Sequence, residues 1–217
     1  MSKTFYLIHD SGLTKSEINA ATSILENATT NFYPNRQFEY LGNKLILNKK
    51  EINLDKIVDK ATTKRKTGYG AQKDAWDIHY SLMNSQWHWD NPGIVIFLTS
   101  QDITVKMNGR HLGSCFGFTL GDCIIISVKR FNSLKRRDRE ILIKGTILHE
   151  LGHVFHVTGN GQRPNTKKIS GWHCTNHGCV MQQATTRSEF LAVFKSAQLT
   201  TTPYCADCMS MIYKTNQ

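Results

Sequence analysis

The chain has 217 residues, 40% of them hydrophobic and 20% charged, which excludes a disordered polymer and suits one domain, or one domain with a small appendage. No stretch approaches the roughly 20 consecutive apolar residues a bilayer-spanning helix needs, so the sequence carries no membrane partner. The formal net charge of +10 suits solvated basic faces or attraction of acidic partners, but no helix-turn-helix or RNA-reading aromatic motif accompanies it.

Met1-Ser2-Lys3-Thr4 runs straight into Phe5-Tyr6-Leu7-Ile8 without the charged region and cleavage site of a secretory signal, so the expected location is cytoplasmic. Residues 5–9 read as a first strand. Thr14-Lys15-Ser16-Glu17 has capping-box form and opens a helix with Ile18, Ala21, Ile24 and Leu25 on one side. Leu45-Ile46-Leu47 reads as a second strand, and 71–86 as a helix whose apolar side is Ala75, Ile78, Leu82 and Met83. After the turn at Asn91-Pro92-Gly93, the apolar run Ile94–Leu98 suits a strand buried on both faces. Cys123–Val128 is another β-rich run. Lys64-Arg65-Lys66, Lys129-Arg130 and Lys135-Arg136-Arg137 read as solvated faces or loops.

His149-Glu150-Leu151-Gly152-His153 comes next and carries the most chemistry. Residues four apart on a helix share a face, so both imidazoles can reach one Zn²⁺ at about 2.0–2.1 Å. Glu150 lies beside them, placed to take a proton from a metal-activated water. Ile143, Ile147, Leu151 and Val154, widened by Leu148 and Phe155, form an apolar stripe pointing away from the histidines. Residues 157–172, with Gly159, Gly161, Pro164 and Gly171, read as a long loop, followed by a cysteine-rich tail with one helix near 187–197. Strands alternating with helices favour an α/β (α+β) layer. The boundary falls at 156/157, between an α/β part (1–156) and a loop-rich part (157–217).

Six cysteines in a cytosolic chain point to metal before disulfides. Cys174 with Cys179, and Cys205 with Cys208, form two close pairs of the kind that assemble a closed, structural four-thiolate zinc site. Cys115 and Cys123 lie in or near β segments and read as packing residues. A catalytic zinc needs a third protein ligand and one open position. His156 shares the helix face, but on a continuous helix it stands about 10.5 Å from His149 along the axis. His173, after the Gly/Pro loop, is the better choice; His177 is another alternative.

His149-Glu150-x-x-His153, then His173-Cys174, Cys179-x-Met181 and Cys205-x-x-Cys208 resemble the archaemetzincin family of zinc metallopeptidases. That family's pattern runs HExxHxxGxxHC, then a second Cys, CxM and a terminal CxxC. The resemblance implies a metzincin-like mixed, twisted sheet with helices. It implies a catalytic zinc on His149, His153 and His173, with Glu150 as general base. It further implies a structural zinc on Cys174, Cys179, Cys205 and Cys208, and Met181 as the Met-turn residue beneath the metal. There are three departures: His156 replaces the family's glycine, the third histidine comes at 173, not six residues after His153, and the stretch from Met181 to Cys205 is longer than the family's usual spacing. The expected function is a two-zinc metallopeptidase acting on peptides or proteins. The alternative is a non-catalytic two-zinc protein that binds a partner or nucleic acid through its basic surface. Nothing in the sequence specifies an oligomeric state.

Overall fold

The structure, a computed structural model, describes residues 4–47, 50–107, 110–162, 165–168 and 171–215. The chain divides into two compact units, one of Met1–Ile18 with Gln37–Ser133 and one of Asn19–Arg36 with Leu134–Gln217. The helix bearing His149 and His153 thus shares a unit with the cysteine-rich tail.

The first unit opens with β1 (Thr4–His9); α1 (Lys15–Asn31) begins in it and belongs from Asn19 onward to the second unit. The capping box forms as the sequence suggests: Glu17 N–H donates to Thr14 Oγ1 at 3.4 Å, and Thr14 N–H to Glu17 Oε2 at 2.8 Å. There follow β2 (Phe38–Gly42), β3 (Lys44–Leu47), β4 (Lys50–Asn53), α2 (Leu54–Lys60), β5 (Thr62–Thr67) and β6 (Gly70–Asp74). Then come α3 (Ala75–Met83), α4 (Gln86–Asp90), β7 (Gly93–Thr99), β8 (Ile103–Met107), β9 (Arg110–Cys115), β10 (Gly117–Leu120) and β11 (Cys123–Ser127). The helix expected over 71–86 begins only at Ala75. Asp74 caps it by accepting from Trp76 N–H at 2.9 Å, and the residues before it pair as β6.

A mixed five-stranded sheet runs β10-β11-β7-β1-β2, parallel throughout except for antiparallel β10 at one edge. Every residue of β7 is buried, which is why its sequence is apolar without alternation. Val95 and Phe97 join Ile8, Ile125, Leu54, Ile78, Leu82 and Ile103 in one core cluster; Ile94, Ile96 and Leu98 are buried on the opposite face. A second sheet runs β5-β6-β8-β9, with the basic Lys64-Arg65-Lys66 on its edge strand β5. Arg130 is not a solvated charge as its basic run suggests. Its Nε and Nη2 donate to the two carboxylate oxygens of buried Asp102 at 2.7 and 3.0 Å.

The second unit is built on α5 (Arg136–Val154), followed by β12 (Thr166–Lys168), β13 (Trp172–Cys174), α6 (Arg187–Ser196) and α7 (Ala206–Thr215). The sequence suggests an α5 with one packed stripe. Instead, from Leu142 to Gly152 only Lys144 keeps partial exposure. The later part of this unit covers the remaining face: Met181 packs against Gly152, and Phe194 of α6 against Gly145. Part of the segment expected as a long loop is a hairpin, with Lys167 paired to His173. The tail holds a second helix, α7, beyond the expected α6. Among the described residues, no helix is long and apolar enough to cross a membrane.

Candidate metal centre

His149 and His153 project from successive turns of α5, and their Nε2 atoms stand 3.2 Å apart. β13 brings in the third imidazole: the His173 ring lies 5.2 Å from that of His149 and 4.9 Å from that of His153, centroid to centroid. Donor nitrogens of the three all lie within 4.8 Å of one another. Glu150 is buried on the same helix, next to His149. His149 Nδ1–H donates to the Val180 carbonyl at 2.8 Å, which puts the proton on Nδ1 and leaves the Nε2 lone pair facing His153.

Burial and mutual repulsion hold these rings neutral. Desolvation, then His173, lowers the pKa of His149 from 6.5 to about 4. Desolvation, with His149, His173 and His156 adding to it, lowers His153 to about 2. Desolvation also lowers His173. A neutral imidazole keeps its lone pair, so this is a donor set for a cation and not a charged cluster. Tetrahedral zinc with bonds near 2.0–2.1 Å needs donors about 3.3 Å apart, which the His149–His153 separation meets. The residues present therefore fit a metal ion.

Helix α5 ends in a Schellman motif: His156 N–H donates to the His153 carbonyl at 3.1 Å and Val157 N–H to the Gly152 carbonyl at 3.0 Å. His156 takes the left-handed position, with φ of 50°, that glycine fills at most such ends. That turns it off the helix line, exposed and outside the histidine group. His177 is likewise exposed and outside the group. Met181, fully buried, lies against Gly152, between His149 and His153 in sequence. Phe190 of α6 packs edge-on to His149, with ring centroids 5.9 Å apart.

Four thiols form the second group. Cys174 and Cys205 have sulfurs 3.7 Å apart, as do Cys179 and Cys208, and all four lie within 4.8 Å of one another. Four thiolates on one zinc at about 2.3 Å stand about 3.8 Å apart, which matches. Asn176 Nδ2 donates to Cys205 Sγ at 3.2 Å, Asn176 N–H to Cys174 Sγ at 3.4 Å and Cys205 N–H to Cys179 Sγ at 3.5 Å. These donors favour the anionic form. Hydrogen bonding within the cluster lowers Cys174 to about 7 and lowers Cys205 further, while Cys179 and Cys208 are pushed up because each holds a proton for its neighbours. All four ionise together only around a cation. Cys115 and Cys123 belong to neither group; Cys123 is fully buried, and desolvation raises its thiol to about 12.

The sequence reading does not reach Val180, which orients His149, or Asn176, which donates to the thiols. Val180 acts through its backbone and so leaves no mark in the side-chain pattern.

No protein-family model and no curated protein matches the sequence. Among solved structures, the chain is similar to the crystal structure of archaemetzincin from Methanopyrus kandleri. The TM-score is 0.64 at 19% identity, over 99% of this chain and 95% of that one. The chain has the archaemetzincin fold. A second archaemetzincin structure, from Archaeoglobus fulgidus in complex with malonate, aligns with a TM-score of 0.55 at 16% identity, over 96% of this chain and 99% of that one. The archaemetzincin fold thus extends over the N-terminal half, where this sequence offers no motif, as well as over the histidine and thiol groups.

Proposed function

We propose that this protein is a zinc-dependent metallopeptidase of the archaemetzincin type, with one catalytic and one structural zinc per chain. The observation that carries the reading is the convergence of His149, His153 and His173 beside Glu150 in a chain of this fold. Zinc bound there supplies Lewis acidity, polarising a carbonyl and acidifying water toward a pKa of about 7. His149, His153 and His173 would hold the ion. Glu150 takes the proton of the attacking water and delivers it to the departing amine of a peptide or protein substrate. Cys174, Cys179, Cys205 and Cys208 would hold the second, structural ion.

The test is Glu150→Gln in the zinc-loaded protein, assayed on a peptide library by mass spectrometry. Metal content should be unchanged while hydrolysis falls by 10²-fold or more, the contribution of a general base. Hydrolysis at the wild-type rate would remove Glu150 from its role. A fully loaded wild type that cuts no peptide would leave the protein as a two-zinc binding module.

A further inference from the structure

Three of the four clustered cysteines stand next in sequence to a residue that holds the histidine group. Cys174 follows His173 on β13, where successive side chains point to opposite sides, so one faces the thiols and the other the imidazoles. Cys179 precedes Val180, whose carbonyl accepts the Nδ1–H of His149. Cys205 follows Tyr204, whose buried hydroxyl donates to the carbonyl of Leu148 at 2.7 Å, immediately before His149 on α5. Cross-links bind these segments to one another: Cys174 N–H donates to the Met181 carbonyl at 2.9 Å, and Val180 N–H to the Pro203 carbonyl at 2.7 Å.

Tyr204 reaches from the thiol segment to the helix with a side-chain hydrogen bond. Its proton is committed to Leu148, so the Tyr33 hydroxyl, 3.0 Å away, donates to it in turn. Burial pushes both phenols above their usual range, so both keep their protons. A buried hydroxyl relay of this kind holds one geometry, because breaking it strands polar groups without water.

We infer that the four-thiol group positions the three imidazoles, with Tyr204 as the positioning residue that carries its influence to α5. Filling the thiol site is then what lets the histidine site bind its ion tightly. This rests on the reading that both groups bind metal. A short strand and two turns cannot hold an imidazole in place unless their ends are fixed, and the thiol cluster fixes three of them. The coupling is reciprocal: an ion on the histidines tightens the thiol site by the same factor.

Cobalt(II) separates the two sites in the full-length protein. Thiolate ligation gives intense near-ultraviolet charge-transfer bands, whereas an imidazole site gives weak visible bands. Metal-stripped wild type, Tyr204→Phe and Cys205→Ser are titrated with Co²⁺, with circular dichroism recorded on each. Tyr204→Phe should keep its thiolate bands while the affinity of the imidazole site falls about tenfold, the usual effect of losing a group that orients a ligand. Cys205→Ser should weaken both sites. A role in stability alone would lower the melting temperature of Tyr204→Phe and leave the Co²⁺ affinity of the folded protein unchanged. That result overturns the inference and leaves the proposed function standing, and Tyr204→Phe decides the matter if Cys205→Ser does not fold. A wild type lacking the imidazole-site bands overturns the metallopeptidase reading itself.

Discussion

Gly152 lies between His149 and His153, and replacing it by alanine separates helix propensity from packing. In an open helix the change stabilises by about 1 kcal/mol. Here the added methyl would fall inside the contact distance of Met181 Sδ, with Met181 Cε and Val157 Cγ2 each 3.1 Å away. Neither neighbour can retreat into solvent, since Met181 and Val157 are both 0% exposed. The Met181 carbonyl is also held by Cys174 N–H. Overpacking costs about 1–3 kcal/mol, and the upper end applies because the clash is with a buried sulfur near the middle of its side chain. The net expectation is a loss of about 2 kcal/mol. In a Met181→Ala background the obstacle is gone, and the same change should be neutral or stabilise by up to about 1 kcal/mol. The sign therefore reverses, and a double-mutant cycle should return a coupling of about 2–3 kcal/mol. Urea unfolding of the four proteins at one fixed zinc concentration measures it. A Gly152→Ala protein as stable as wild type, with Met181 intact, would refute the claim that this close approach dictates glycine.

At the next turn the expectation has the opposite sign. Exposed His156 holds a left-handed φ of 50°, so His156→Gly should stabilise by about 1 kcal/mol, raising the thermal midpoint by about 2–4 °C; a lowered midpoint would mean the imidazole makes a stabilising contact. In metal-free protein, His149 and His153 titrate near 4 and 2 when folded, against 6.5 when free. The unfolded chain thus binds the extra protons below about pH 6.5, and stability must fall as pH drops from there toward 4 and, for His153, on toward 2. Unfolding at pH 5 should take up about two protons; a flat profile between pH 7 and 5 would contradict the burial of the pair. Among the described residues, Arg130→Leu leaves the buried Asp102 carboxylate with Thr67 Oγ1 and Gln72 Nε2 as side-chain donors, and should cost about 3–5 kcal/mol in the same unfolding assay. A loss below about 1 kcal/mol would return Arg130 to the solvated charges.

The parts of this chain legible from sequence are those in which local spacing carries the physics. The pairing of His149 with His153 follows from a separation of four, β7 from an unbroken apolar run, and the thiol group from two close pairs. Where signals overlap, the reading slips. Ala75, Ile78, Leu82 and Met83 do mark α3, yet only Asp74, as a cap, says that the residues before it belong to a strand. β2 hides because Phe-Glu-Tyr-Leu-Gly lies at a sheet edge and mixes half-buried with exposed positions. α7 hides because Cys205 and Cys208 read as ligands, whereas one of them also sits within a helix. Val180 and Tyr204 act through contacts 31 and 56 residues away in sequence, and no window reports those.

The twenty residues from His153 to His173 show why a lengthened motif can still bring three imidazoles together. Stretching a ligand connection from six residues to twenty costs only about 1 kcal/mol of closure entropy, since that cost grows with the logarithm of length. Precision is the harder demand, because a slack loop would smear the imidazole over several ångströms. The insertion meets it by forming structure of its own. Lys167 pairs with His173 across the hairpin, Thr175 N–H donates to the Asn165 carbonyl at 3.0 Å, and the Trp172 ring lies so close over Gly161 that a side chain there would strike it. Lys168 Nζ lies 5.8 Å from the centre of the same ring. His173 is thus delivered by a strand braced on both sides, which is how its ring comes within 5.2 Å of His149 despite the added length. What the motif specifies, then, is the place where the third imidazole must arrive; the number of residues used to reach it is free to drift as long as they fold.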